Sequence, residues 1–421
     1  MVMAMHYSKF GEKFTQNSGI TQLMQDLGEA KHSDDPEIIM LGGGNPALID
    51  KAHQVFVDEL QQLIADSAMD QVLGYYDGPQ GSEVFINTLV AWLNAHYGWS
   101  LTKDNIAITN GSQSSLFMLF NLFAGEMKNG TQKKVLLPLV PEYIGYADQG
   151  LSEHMFVAIK PRINELDSQQ FKYQIDFERL QQVLQDEDIG VICVSRPTNP
   201  TGNVITDEEL QQLSQLAKVH QVPLIVDNAY GQPFPGVIYT PATLRWDPQS
   251  ILCMSLSKLG LPGVRSGIVI ANEKTTQALS RMSGILALAP SGVGPAILTP
   301  LIQRQALMPL VSEVIQPFYQ ARAQTALELF NEVFTGYPVK LHKLEGAFFM
   351  WLWFPELSIS AQTLYQRLKA QQIYILPGQD FFIGMSESWP HQHQCIRLNY
   401  AKDQSTLRRG LQAIRREVFS V

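Results

Sequence analysis

At 421 residues the chain is long enough for two or three packed units. Hydrophobic residues make up 45% and charged residues 17%, which excludes general disorder, and the longest apolar run, 346–354, is too short to span a bilayer. The balance of 31 basic against 40 acidic residues leaves a formal charge of -9 with no dense Lys/Arg block, which argues against a nucleic-acid partner.

Residues 1–10 hold one Lys and no sustained apolar stretch, so no secretory signal and a cytoplasmic location are expected. The three cysteines lack CxxC spacing and are expected to be reduced thiols. The first forty residues show no strand pattern of their own and are expected to pack on a C-terminal unit. Strands are predicted at 105–109 and 135–137. Residues 190–195 form an apolar, β-branched run that predicts a buried strand, followed by a Pro/Asn/Gly turn over 196–203. Thr206 with Glu209 three residues on is a capping box, and Leu210, Leu213, Leu216 and Ala217 then recur on one helical face. Further strands are predicted at 222–226, 251–255 and 267–271.

Strands alternating with helices define an α/β fold with a mostly parallel sheet covered by helices. After residue 300 the pattern changes to a long helical stretch, an apolar segment at 346–353, a helix at 361–371 and a strand at 395–400. The expected organisation is an N-terminal segment, 1–47, packed on a smaller α+β domain, 306–421, with a large domain over 48–305.

In an open α/β sheet, ligands bind beyond the carboxyl ends of the strands. Here those ends carry Asn110-Gly111-Ser112-Gln113, Pro141-Glu142-Tyr143, the turn Arg196 to Gly202, Asp227-Asn228-Ala229-Tyr230, and Ser255 to Lys258 with Arg265 to Gly267. This set suits an aldehyde cofactor that bears a phosphate. A lysine in a dry pocket can lose its proton and form a Schiff base, and an aspartate can keep a ring nitrogen protonated. Helix N-termini and an arginine can bind a phosphate dianion.

As an ordered set, these motifs resemble the fold type I pyridoxal-phosphate aminotransferases of the aspartate aminotransferase superfamily, over residues 42–400. Residues 40–46, 76–81 and 196–209 more narrowly resemble members that work on valine and pyruvate. The resemblance implies a PLP-dependent aminotransferase, active as a homodimer, that moves an amino group between a neutral aliphatic amino acid and a 2-oxo acid. By that resemblance Lys258 is the Schiff-base lysine and proton carrier, Asp227 faces the ring nitrogen, Tyr230 and Asn199 bond the phenolic oxygen, and Tyr143 stacks on the ring. Ser112, Gln113, Ser255 and Arg265 match the phosphate cup, completed by Tyr76 of the neighbouring subunit. Arg397 matches the grip on the substrate carboxylate, with Gly44 and Asn199 nearby. Lys258 and Arg265 are seven positions apart, one fewer than in the aspartate-specific members.

Other readings compete with these. A PLP-dependent lyase would use the same cofactor, and a PLP-sensing regulator would need a DNA-binding segment, which is not expected in the residues before Gly42. Singly, each residue could be a turn, a cap or a core ring. Gly42-Gly43-Gly44 lacks the spacing of a nicotinamide fingerprint. His391, His393 and Cys395 read as loop or interface residues and not as a metal site. Phe348, Phe349, Trp351 and Trp353 read as core of the small domain.

Overall fold

Continuous apolar runs build the centre of the molecule. The computed structural model describes residues 6–32, 37–167 and 169–419, so parts of the opening stretch and of the N-terminal segment, 1–5 and 33–36, lie outside the described residues. In the central sheet the order is Ile106–Thr109, Gly267–Ile270, Ser250–Ser255, Leu224–Asp227, Ile189–Ser195, Gln132–Leu137 and Gly125–Glu126, and Phe156–Ala158 also pairs with Gln132–Leu137. All of Ile189–Ser195 is buried, as expected of a strand covered on both faces by helices. Helix Asp207–Val219 begins at the capping box: Thr206 Oγ1 accepts from Glu209 N at 3.1 Å, and Glu209 Oε2 accepts from Thr206 N at 2.8 Å.

Strand direction decides where chemistry gathers. Leu224–Asp227 runs parallel to both Ser250–Ser255 and Ile189–Ser195, so Ser195, Asp227 and Ser255 end at one edge. Gly267–Ile270 is antiparallel to its two neighbours, and its first residue lies opposite both Ser255 and Thr109. The reversal brings the chain just before Gly267, including Arg265, to the edge where the parallel strands finish.

A second sheet of six strands has the order Leu376–Pro377, Cys395–Asn399, Phe349–Trp353, Lys340–His342, Gln170–Gln174 and Arg162–Glu165. Its last two strands form a hairpin drawn from the middle of the chain, with Phe171 opposite His342. Sequence patterning did not reveal this hairpin, because its outer strand, Arg-Ile-Asn-Glu, is largely exposed and has no apolar run. The buried Lys172 bonds Glu345 and donates to Val204 O at 2.9 Å, and Glu345 also accepts from Val204 N at 3.1 Å. This pair fixes the loop after Ile189–Ser195 against the second sheet.

A strand pairing and an ion pair join the N-terminal segment to the C-terminal part of the chain. Ile39–Met40 pairs in parallel with Ile373–Tyr374, and the buried Asp26 of helix Gly19–His32 accepts from Lys369 Nζ at 2.7 Å and from the Tyr365 hydroxyl. The apolar segment 346–353 becomes strand only from Phe349, since residues before it enter the loop that meets residues 237–239.

Candidate active site

Four carbonyls of one loop line the approach to the shared strand edge. Gly42 O accepts from Arg397 Nη2 at 2.6 Å, Gly43 O and Asn45 O accept from Asn399 Nδ2 at 2.8 and 3.2 Å, and Gly44 O accepts from Lys258 Nζ at 2.8 Å. This loop therefore bridges the lysine that follows Ser250–Ser255 and the arginine of Cys395–Asn399.

Arg397 is 1% exposed. Its fork donates to two neutral oxygens, Asn199 Oδ1 at 2.6 Å and Gly42 O, while Nε has no partner among the described residues. The guanidinium lies 4.2 Å from the Phe349 ring centroid and 5.3 Å from that of Phe381. Stacking on a desolvated ring contributes about 2 kcal/mol, against a burial cost of several kcal/mol for an unpaired ion. Burial lowers the Arg397 pKa to about 10. It is a desolvated cation whose donors meet no carboxylate among the described residues.

Lys258 is partly accessible as a residue, but its amine is enclosed: Nζ lies 5.4 Å from the Tyr230 ring and 5.8 Å from the Phe348 ring. Burial and then the Arg397 charge lower its pKa to about 8, against the opposing pull of Asp227. An amine near that value is partly unprotonated at neutral pH and can act as a nucleophile or base.

Asp227 is buried at the end of its strand; Oδ1 accepts from Ala229 N at 3.1 Å and Oδ2 from the Tyr146 hydroxyl at 2.7 Å. Burial raises its pKa, opposed by Tyr146, Ala229 and Lys258. Tyr230 is buried against Phe348 and Phe349, and its hydroxyl has no partner among the described residues. Asn199, in the turn after Ile189–Ser195, is occupied by Arg397. Tyr143 sits edge-on to Tyr146, with ring centroids 5.4 Å apart.

The remaining predicted residues form a cradle around Gly111. Ser112 and Gln113 open helix Ser112–Phe123, where free amides and the dipole favour an anion. A Cβ on Gly111, whose φ is +93, would lie 2.5 Å from Arg265 Nη2, and one on Gly267 would lie 2.7 Å from Ser112 N. Glycine at both positions lets the arginine and the helix start approach each other. Gln113 Nε2 donates to Gly145 O at 3.1 Å and its Oε1 is buried without a partner among the described residues, while Ser255 Oγ accepts from Ser257 N at 3.1 Å. Tyr76 stands apart from this group, 82% exposed.

Sequence reasoning gave no role to Tyr146, Glu142 or Asn399. A signal existed for Glu142, which precedes Tyr143 in the segment Pro141-Glu142-Tyr143, whereas Tyr146 lies three residues beyond it. Phe348 and Phe349 are core residues, yet they also wall Lys258 and Arg397. His391 and His393 diverge: His391 is buried 2.5 Å from the Tyr173 hydroxyl, whereas His393 faces Gln379 Oε1 at 3.3 Å. The three cysteines are free thiols.

Sequence comparison defines the class. The chain belongs to the aminotransferase class I and II family, whose sequence model matches residues 36–414. It is 49% identical over 414 residues to the valine–pyruvate aminotransferase of Escherichia coli (strain K12), covering 98% of each protein. The solved valine–pyruvate aminotransferase from Salmonella typhimurium LT2 is 48% identical with a TM-score of 0.87, covering 95% of this chain and 98% of that one. A solved chain from Psychrobacter arcticum 273-4 gives a TM-score of 0.96 at 47% identity, with 99% of each chain covered.

The electrostatic environment predicts how Lys258 titrates. In protein freed of carbonyl compounds, its rate of reaction with an amine-selective acylating reagent should be half-maximal near pH 8, because the amine is neutral above that pH. Arg397→Ala should move the midpoint upward by removing a like charge. A midpoint at the ordinary lysine value of about 10.4 in the unaltered protein would contradict this electrostatic account.

Proposed function

We propose that the chain is a pyridoxal-5′-phosphate-dependent aminotransferase that exchanges an amino group between valine or alanine and pyruvate or another 2-oxo acid. One observation carries this reading: the buried fork of Arg397 has no anionic partner among the described residues and shares a loop with the Lys258 amine. A substrate carboxylate is the partner that planar fork suits. The valine and pyruvate assignment is supported by the full-length relative at 49% identity.

The residues fit the cofactor. The unpartnered Tyr230 hydroxyl and Gln113 Oε1 offer buried polar atoms, and Gly111 with Gly267 leaves room for Arg265 beside the start of a helix. Bound here, pyridoxal phosphate would supply a carbonyl carbon to receive the amino group and a ring to accept the electron pair. Ser112, Gln113, Ser255 and Arg265 would hold the phosphate. Asp227, fixed by Tyr146 and Ala229, would hold a proton at the ring nitrogen. Asn199 and Tyr230 would bond the phenolic oxygen, and Tyr143 would cover the ring face. Lys258 Nζ would take a proton from the substrate α-carbon and return it at the other end of the exchange. Gly44 O orients that amine, while Arg397 and Asn199 orient the substrate carboxylate.

We also read the enzyme as a cytoplasmic homodimer of amino-acid biosynthesis, divided into 1–47, 48–305 and 306–421, with the 162–174 hairpin reaching from the second part to the third. Support for the dimer is an exposed apolar surface beside the cradle. Leu73, Tyr75 and Tyr76 are 74%, 72% and 82% exposed, and Ile285 and Leu288, 85% and 65%. A Cβ on Gly284 would lie 3.3 Å from Pro79, and Ser291 N donates to Asn110 at 2.9 Å, so these segments adjoin each other and the cradle. Patches of this kind mark association surfaces. Tyr76 would then reach the partner's phosphate. Mixing Tyr76→Ala chains with Lys258→Ala chains, each impaired, should regenerate part of the activity. No recovery after confirmed subunit exchange would argue against sharing.

Substrate choice follows from charge. The only cation from Gly11 to Gly28 is Lys13, whose amine donates to Ser152 O at 2.7 Å and pairs with Glu153 at 3.2 Å. Phe14 packs edge-on to Phe117 at 6.1 Å, and a Cβ on Gly19 would lie 2.7 Å from Ile144, so this segment presents apolar surface near Tyr143. A distal carboxylate finds no partner on it. In a donor screen with the holoenzyme, valine and alanine should both turn over, differing roughly tenfold at about 0.8 kcal/mol per methylene, with pyruvate accepting from valine and little activity on aspartate. Conversion of the cofactor to its amine form by the amino acid alone separates this activity from a lyase. Aspartate turnover equal to that of valine would contradict the neutral pocket.

A further inference from the structure

Beneath Asp227 lies a second carboxyl to which neither the fold nor the proposed chemistry gives a task. Glu142 is 0% exposed. Its Oε1 accepts from Ser195 N at 2.8 Å, and its Oε2 lies 2.5 Å from Ser195 Oγ. Its own amide donates to Phe381 O at 2.9 Å. Ser195 is the register partner of Asp227, so Glu142, bonded to Ser195, sits at the strand end next to that of Asp227. The titratable groups around Glu142 are Tyr143 and Tyr146 on its own segment, Cys193 on Ile189–Ser195 and Asp227 on Leu224–Asp227; no cation is among the largest influences on it, and none bonds it among the described residues. Lys258 and Arg397 act instead on Asp227 and Tyr143.

We propose that Glu142 is protonated at neutral pH and serves as a neutral anchor, tying residues 141–146 to Ser195 so that Tyr143 and Tyr146 are set against the site and Asp227 holds the one negative charge there. An ionised carboxylate buried without a cation costs far more than a neutral carboxyl that keeps its hydrogen bonds. Burial, with the Asp227 charge adding to it, pushes Glu142 up to about 8, against the bonds from Ser195. Glu142 is thus a positioning residue that acts through two tyrosines. Tyr146 transmits the anchor to Asp227 by its 2.7 Å hydrogen bond. The positioning role rests on the function proposed above, whereas the buried proton does not.

Two measurements on the full chain test this. From the unfolded value of 4.5 up to about 8, the native state holds one proton more than the unfolded chain, so stability falls as pH rises through that window. Glu142→Gln keeps the bonds and removes the titration. Its melting temperature relative to the unaltered protein should therefore climb between pH 5 and pH 9, by about 2 °C or more. A difference that stays flat, or runs the other way, overturns the buried proton. Should Glu142→Gln fail to fold, the infrared band of a protonated carboxylic acid in the unaltered protein at pH 7 serves instead, and its absence overturns the proposal.

The second measurement reads positioning through release of pyridoxal 5′-phosphate, followed by its visible absorption. Glu142→Ala should lose the cofactor about tenfold faster, and Glu142→Gln should restore slow release, because the anchor is neutral. Gln behaving like Ala would show that charge is required, and Ala behaving like the unaltered protein would remove the anchor; either overturns the proposal. A chain that binds no pyridoxal phosphate at all would sink the proposed function and with it the positioning role, while the melting series still decides the proton.

Discussion

The site depends on a cation that the fold buries and does not neutralise. Arg397 gives its hydrogen bonds to an amide oxygen and a backbone carbonyl and rests on Phe349. Those contacts hold the guanidinium flat and oriented at a cost in desolvation that an arriving carboxylate would recover. Its position fixes those around it. Asn199 is drawn to it from the central sheet, and the 42–45 loop is drawn across the gap between the two sheets to reach it. Burial, and then the same charge, keep the proton affinity of Lys258 low. A carboxylate bound on Arg397 would offset that repulsion, so substrate arrival and the protonation of the lysine are coupled through a single residue.

Around this cation the central sheet supplies its other charges by direction alone. Parallel strands end at Ser195, Asp227 and Ser255, and the one long reversed strand starts where they finish, which brings Arg265 to the helix start at Ser112. Oppositely charged functions are kept apart within this arrangement. Asp227 is clamped by Tyr146 and Ala229 deep in the fold, while Arg265 stays exposed beside the apolar surface that holds Tyr76. The buried ion pair of Lys172 with Glu345 then locks the turn containing Asn199 to the second sheet.

Much of this was legible because local rules and global fold agree. The apolar run at 190–195 is a fully buried strand, Thr206 and Glu209 cap the helix that follows, and the polar residues just past each strand meet at one edge. What stayed hidden has physical reasons. The outer strand of the 162–174 hairpin carries charged, exposed side chains and its inner strand pairs with residues about 170 positions away, so no local pattern marks it. The burial of Glu142 was equally invisible, since a glutamate in a turn reads as solvated until the neighbouring strand covers it. Aromatic residues such as Phe348 and Phe349 look like core from sequence and are core; only the structure shows that their other faces meet Lys258 and Arg397.

The claim that Arg397 is a carboxylate grip is open to a direct measurement, the dissociation constants of valine, alanine and pyruvate for the holoenzyme and for Arg397→Lys, read from the visible spectrum of the bound cofactor. A lysine keeps the charge but loses the planar fork. The account predicts that every constant rises by about tenfold or more, equally for each side chain, since a lost charge-assisted pair costs about 1.5–3 kcal/mol. Unchanged constants, or a loss confined to one substrate, would contradict it and return Arg397 to the wall of a side-chain pocket.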